Sequence, residues 1–434
     1  MSKRIEYIAS GCNFMQLAGD KCQQPKHLEY IRGCFQYIQD NTQHRFGLLF
    51  NGLVEASFGG ALINYKPAVH SIHVDSGGLQ VVTLGKQVTP ELKDGVYRIQ
   101  AKYGDLGMSF DEIPVQIIGK KSSRLDTSNR IFRRDKLEDF ARLSGKNIAR
   151  QIEVFLEEKS LCRPILIAQG NCYDTYMLWV DYMLQEVPKD HHQYIGGVAM
   201  GAAALGTGFI EDVQRAFIFT QLPIKTTHLH ILGVGAVRRL LPYLVFMTNG
   251  AYDGVTVSYD STTHTSGIEQ GRFYTAEWKS ADVCRPKKID PTSLFSESTK
   301  SEFGTIPKIY GECWAEMQEV ADLSSVTERD FMLAMNHGLT KYLSIGGTAW
   351  DFDRMRIAFV SRSIKNFCAH VDNLLSSEEE LLKYADKGDV LGYIKYLMTV
   401  RTKRDFDCWI RDAYPLAQAD KKTKPIRDFG VLAW

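Results

Sequence analysis

At 434 residues the chain has room for one large domain or two to three ordinary ones. Its hydrophobic fraction of 44% and charged fraction of 24% are those of a water-soluble globular protein, and a net charge of +1 excludes a globally basic nucleic-acid surface, leaving only local ones. No apolar run approaches the roughly 20 residues of a membrane span, Met1-Ser2-Lys3-Arg4 opens no signal-peptide core, and nine cysteines without regular spacing suggest reduced thiols, so a cytoplasmic location is expected.

Residues 1–70 carry two strand-like runs, Arg4 to Ile8 and Arg45 to Phe50. Between them, Leu28 to Ile38 has the apolar spacing of a helix. Cys12, Cys22 and Cys34 lack a CxxC pair and read as buried thiols rather than a metal cluster. From residue 71 one design repeats: an apolar, β-branched strand delivers a polar or glycine-rich turn. Ser71 to Val74 leads to Asp75-Ser76-Gly77-Gly78, and Leu106 to Phe110 leads to Asp111. Pro164 to Ala168 leads to Gln169-Gly170, and Gln193 to Ile195 leads to Gly196-Gly197. His228 to Leu232 leads to Gly233-Val234-Gly235, and Val255 to Tyr259 leads to Asp260 in a Ser/Thr loop. Six such strands, mostly followed by helical patterns, predict an α/β fold, a (β/α)8 barrel with its site at the strand C-termini. The expected division is a divergent, irregular amino-terminal part of the barrel over 1–70, the barrel core over 71–345 and a mostly helical extension over 346–434.

Between the strands, Lys120, Lys121, Arg124, Arg130, Arg133, Arg134 and Lys136 form a basic stretch, read as a solvated face or as a phosphate contact. A helix follows, with Leu137, Phe140, Ala141, Ile148, Ile152 and Phe155 inward. Gly119-Lys120-Lys121-Ser122 is no P-loop, because Pro114 stands where the first glycine belongs. Gly233-Val234-Gly235 is half a dinucleotide fingerprint and reads better as a tight strand-to-helix turn. His228 and His230 share one strand face and read as buried, hydrogen-bonded histidines rather than metal ligands. Residues 276–310 are turn-rich, and further basic clusters sit at 401–404 and 421–427.

Two strand-end aspartates, Asp75 and Asp260, suit a nucleophile and acid/base pair acting at an acetal-like carbon. Asp111 and Gln169 add groups that match a flat heterocycle with N–H and C=O edges. Together they suggest glycosidic chemistry on a purine nucleoside.

Asp75-Ser76-Gly77-Gly78-Leu79-Gln80 resembles the Asp-Ser-Gly-Gly-Phe-Gln signature of the guanine transglycosylases, barrel enzymes that exchange guanine for 7-deazaguanines. Phe110-Asp111-Glu112, Gln169-Gly170, Gly196 to Gly201, Leu229 to Gly235 and Tyr259-Asp260-Ser261 with Gly271-Arg272-Phe273-Tyr274 are similar to further blocks of that family, in the same order. The resemblance covers roughly residues 70 to 345. It implies that Asp260 is the nucleophile on C1′ and Asp75 the general acid/base, in a ping-pong exchange. It implies that Asp111, Gln169 and the Gly197 backbone hold the base, with Ser76, Leu79, Gly196, Val198, Ala199 and Leu232 around it. Lys120, Lys121, Arg124 and Arg272 would meet the polynucleotide.

The departures from the family are informative. Only Cys313 remains where the family has a cysteine-rich zinc site, so neither that site nor any other cofactor is expected. Leu79 replaces the stacking aromatic, and Ala202 replaces a glutamate implied to support the aminomethyl form of the incoming base. The amino-terminal barrel sequence is barely recognisable, and no archaeal-type RNA-binding domain follows. These features look like the DNA-directed branch, the phage and bacterial-island enzymes that insert 7-deazaguanines into DNA. DNA and a 7-deazaguanine, most simply 7-cyano-7-deazaguanine, are the expected partners, with the oligomeric state open and a homodimer among the options. A divergent tRNA enzyme and a non-catalytic nucleic-acid-binding barrel are the competing readings.

Overall fold

The computed structural model describes residues 5–10, 24–53, 59–77, 88–117, 130–201, 209–261, 264–265, 272–273, 287–288, 308–387 and 391–419. Its strands are β1 (Ile5–Ala9), β2 (Arg45–Asn51), β3 (Ser71–Asp75), β4 (Leu106–Met108), β5 (Val115–Ile117), β6 (Arg130–Phe132), β7 (Arg163–Ala168), β8 (Gly197–Met200), β9 (His228–Ile231), β10 (Thr256–Ser261), β11 (Arg272–Phe273) and β12 (Lys287–Lys288). Eight of them close into an all-parallel barrel in the order β1-β10-β9-β8-β7-β4-β3-β2, so the expected (β/α)8 architecture is present. β5 and β6 pair antiparallel as a hairpin inserted after β4. β11 and β12 pair antiparallel after β10.

Side-chain alternation along each strand sorts the barrel into two environments. Outward residues such as Tyr7, Phe46, Ile72, Leu166, Val198, Leu229 and Tyr259 join the main core under the helices. Inward residues divide by side. Leu106, Met108, Ile165, Ile167 and Ala199, with Leu49 and Leu232, make an apolar half. Glu6, Ser71, His73, His228, His230 and Ser258 are all buried on the other.

The ring of helices starts with α1 (Pro25–Asp40), α2 (Pro90–Tyr103), α3 (Leu137–Glu157), α4 (Tyr173–Glu186), α5 (Phe209–Gln221) and α6 (Val237–Thr248). Helix α3 buries Leu137, Ala141, Ile148, Ile152 and Phe155, the stripe its spacing predicts. After β12 come α7 (Lys308–Val320), α8 (Glu328–Ser344), α9 (Ala349–Ser376), α10 (Glu378–Lys387), α11 (Leu391–Leu397) and α12 (Lys403–Ala419). Thr327 and Asp330 form a capping box that starts α8. Helix α9, in the stretch read as an extension, packs against α1 and α6 and takes the eighth place in the ring. Its Phe367 ring meets Tyr7 and Tyr259, and its Asp372 accepts from His44 Nδ1 at 2.7 Å while His44 Nε2 meets the Tyr259 hydroxyl at 2.9 Å.

One predicted strand moves. Lys189–Tyr194 is a 3-10 turn, and β8 begins at Gly197 rather than ending before it. A Cβ on Gly197 would sit 2.6 Å from the His228 carbonyl oxygen, so the glycine is required by a close strand approach and not by a turn. No described helix is long and apolar enough to cross a membrane. Cys34, Cys162, Cys172, Cys313, Cys368 and Cys408 are free thiols, while Cys12 and Cys22 lie outside the described residues.

Three-residue β4 needs support from outside the ladder. Gln100 Nε2 donates to the carbonyls of Val74 (3.2 Å) and Met108 (2.7 Å), and Gln151 Nε2 donates to Gln100 Oε1 (2.6 Å) and the Gly107 carbonyl (3.0 Å). Replacing Gln100 by Leu orphans these buried groups, and each orphan costs roughly 1–3 kcal/mol. Denaturant unfolding of Gln100→Leu should therefore show a loss of at least about 2 kcal/mol; an unchanged midpoint would show that β4 is held by its ladder alone.

Candidate active site

All eight barrel strands bring a polar group or a turn to the C-terminal rim: Ser10, Asn51, Asp75, Asp111, Gln169, Gly201, Gly233 and Asp260, in chain order. Asp260, near the end of β10, is 8% exposed. Gly233 N–H donates to its Oδ1 at 2.8 Å, Ser10 Oγ donates to Oδ2 at 3.3 Å, and His230 Nε2 stands 3.3 Å from Oδ1, too poorly aimed for a hydrogen bond. His230 Nδ1 and His228 Nε2 both meet Ser258 Oγ, at 2.8 and 2.7 Å, so both histidines are buried and hydrogen-bonded, as expected. The carboxylate is thus supported from both flanking strand ends, β9 and β1, with donors that fix its plane.

Asp75 closes β3, and the strand between it and β1 ends in Asn51, whose Nδ2 donates to Asp75 Oδ2 at 3.0 Å. Burial pushes the Asp75 pKa up to about 6; backbone N–H bonds from Gly77 and Ser76 oppose this, and the charge of Asp260 adds to it. Asp111 lies three residues past β4 and is buried. Burial, then the charge of Asp75, pushes its pKa up to about 7 against a bond from Gln169. That bond runs from Gln169 Nε2 to Asp111 Oδ2 at 2.6 Å, and it leaves Gln169 Oε1 buried with no partner among the described residues. Helix α3 fixes the segment carrying Asp111: Ser144 Oγ accepts from Glu112 N–H at 2.8 Å and Asn147 Nδ2 donates to the Phe110 carbonyl at 3.2 Å. Helix α4 fixes the next two strand ends, with Trp179 Nε1 on the Ile167 carbonyl (3.0 Å) and the Tyr176 hydroxyl on the Gly201 carbonyl (2.5 Å).

The structure gathers Asp75, Asp111, Gln169 and Asp260 on one rim, with partly buried Leu232 and Leu49 against the apolar half of the bore. It does not bring Gly196 and Gly197 there. They open β8 at the level of Arg163 and His228, toward the other end of the barrel, because β8 starts where the sequence pattern would end it. Val198 points outward into the main core and Ala199 inward. Ser76 spends its hydroxyl on the Ser109 carbonyl at 3.1 Å, tying β3 to β4 rather than facing a ligand. Leu79, Lys120, Lys121, Arg124 and Ala202 lie outside the described residues, and Arg272 begins β11. Two cations of the basic stretch are paired locally, Arg133 with Asp135 and Lys136 with Asp139. Sequence reasoning missed Ser10, Asn51 and the Gly233 N–H; the signal available for the first two was a polar residue directly ending an apolar run.

Cys313 does not fit a zinc ligand. Its sulfur packs 4.0 Å from Met317 Sδ, burial pushes its thiol up to about 12, and no group of three ligand-type side chains among the described residues includes it. Compared with protein-family models and with curated protein sequences, the chain matches none.

The raised Asp111 pKa carries a cost that can be measured. Unfolded, the carboxyl titrates near 3.8; folded, near 7, so stability falls as pH rises between these values and the full penalty is present above the upper one. Asp111→Asn keeps an acceptor for Gln169 and removes the charge. It should stabilise the protein at pH 8 by about 1–3 kcal/mol, with the gain vanishing toward pH 4. Urea unfolding at both pH values reads this, and a gain independent of pH would contradict the buried-charge account.

Proposed function

We propose that the protein is a base-exchange transglycosylase that replaces guanine in DNA by a 7-deazaguanine. The observation that carries this reading is the rim itself: two carboxylates held on nearby strand ends by Asn51 and Ser10, facing an Asp111–Gln169 pair with an unspent buried acceptor. Asp260 attacks C1′ of the nucleotide, the glycosidic bond breaks, and its electron pair leaves with the guanine, which Asp75 protonates. The sugar stays bound to Asp260 as an ester. The incoming base gives its N–H proton to Asp75 and attacks C1′, and the ester bond breaks to return the Asp260 carboxylate. A proton affinity near 6 suits Asp75 to both halves of this cycle. Asp111 accepts from the N–H donors of the guanine edge, and Gln169, its Nε2 held by Asp111, offers Oε1 as a further acceptor. A base inside a polynucleotide reaches such a pocket only when unstacked or already unpaired.

The neutral 7-cyano base is favoured over its aminomethyl relative, because Ala202 offers no carboxylate to a buried ammonium. Labelled guanine offered to DNA and to tRNA side by side tests the substrate: exchange into DNA is expected. Exchange confined to tRNA would transfer the reading to the RNA-directed branch, and none into either would leave a binding barrel. In the same assay Asp260→Asn should lower exchange by several orders of magnitude and Asp75→Asn nearly as much, and the cyano base should outcompete the aminomethyl base by roughly 10-fold or more.

DNA binding must be supplied by local charge, since the whole chain carries only +1. Replacing Lys120, Lys121 and Arg124 together should weaken DNA binding and flatten the log–log salt slope by about one unit for each phosphate no longer neutralised. An unchanged slope would assign these residues to a solvated face.

A further inference from the structure

We propose that Glu6, His73 and His228 bind a divalent transition-metal ion inside the barrel, below the rim and apart from the Asp75–Asp260 pair. Three strands, β1, β3 and β9, each turn one ligand-type side chain into the bore here, and one donor atom from each lies within 4.8 Å of the others. All three residues are buried.

The spacing is that of groups around an ion rather than of groups bonded to each other. Ser71 Oγ donates to Glu6 Oε1 at 2.5 Å, which leaves Oε2 to face His73 Nε2 across 3.9 Å. That gap is too long for a hydrogen bond. Two donors on one ion, with bonds of about 2.0–2.2 Å, stand at most about 4.4 Å apart, so an ion spans it and the third donor closes with a small shift.

An independent observation points the same way. His73 is fully buried, and neither of its ring nitrogens has a hydrogen-bond partner. A neutral imidazole carries one N–H and one lone pair, and leaving both unpaired in a protein interior is costly. A metal ion takes up the lone pair. It also gives the buried Glu6 carboxyl a counter-charge. Arg45 and Arg163, at the same end of the bore, oppose a cation there, and the single carboxylate offsets them only in part. Imidazole nitrogens exclude calcium and magnesium as the natural occupants, and a set of two histidines and one carboxylate selects the zinc, iron or manganese class. This departs from the expectation that no cofactor is needed. It rests on no assumption about base exchange.

His228 makes the location consequential. Its Nε2 meets Ser258 Oγ, which in turn meets His230 beside Asp260. An ion on His228 would therefore fix that ring at the far end of a chain leading to the rim.

Metal content of the full-length chain tests the proposal. The protein is produced in zinc-supplemented medium without a histidine tag and dialysed, and zinc, iron and manganese are counted by elemental analysis. About one ion per chain is expected, together with a lower Tm after chelation and its recovery on adding zinc. Glu6→Gln and His73→Asn should each bring the count close to zero, while Asp260→Asn should leave it unchanged. The wild-type result stands even if a ligand variant fails to fold. A wild-type chain that holds no stoichiometric ion and shows no Tm response to zinc, iron(II) or manganese(II) overturns the proposal. So does an ion retained by both folded ligand variants, which would place it elsewhere.

Discussion

The hydrogen bond from Gly233 N–H to Asp260 Oδ1 is the contact on which the rim geometry depends. Gly233 reaches the required position with φ at +67°, a conformation that a side chain resists. Its own carbonyl is then taken by Arg239 Nη1 at 2.8 Å, and Arg239 Nε is held by Asp212 at 2.8 Å. Asp212 is fully buried and also pairs with buried Arg215. Val234 N–H adds a second strut to the backbone oxygen of Asp260 at 2.8 Å. A buried carboxylate bridging two guanidiniums contributes little net stability, since desolvation offsets the attraction, but it admits few alternative arrangements. Its effect here is on geometry: the turn after β9 cannot shift without breaking a buried ion pair, and so the Asp260 carboxylate keeps its plane.

The same logic divides the bore. Its apolar half, from Leu106 to Ala199, is packed as a barrel interior normally is. Its polar half carries two histidines hydrogen-bonded through one serine, a third without a partner, and a glutamate. Each of those groups is expensive to bury. Stability alone would replace them with Val or Leu, so their concentration under Asp260 and Asp75 reads as a cost accepted for electrostatics at the rim.

The parts of this arrangement that were legible in the sequence are those that depend on one strand at a time. A carboxylate or amide at the end of a β-branched run is visible locally, and Asp75, Asp111, Gln169 and Asp260 do stand at the rim. The stripe of α3 is equally local. What depended on closure was not legible. Gly196-Gly197 has a turn's composition, but its reason is the close pass of His228 in the neighbouring strand, which no local pattern encodes. Asn51 and Ser10 acquire their roles only when β2 lies beside β3 and β1 beside β10. Helix α9 escaped because a long insertion after β10 interrupts the strand–helix rhythm, and its place between α1 and α6 is a fact of packing.

The same division separates what the barrel asks of the sequence from what the rim asks of it. The barrel asks most positions only for hydrophobicity and volume, which many residues satisfy, so the core can drift widely at small cost. The rim sets a polar group at about one residue per strand, and its geometry tolerates few substitutes: Asp260 cannot become Glu without moving its oxygens by about a methylene, away from the Gly233 N–H. The constrained positions are thus few, short and separated by long stretches of free sequence. The rim residues therefore bear on what the protein can do, while the sequence between them bears on the fold.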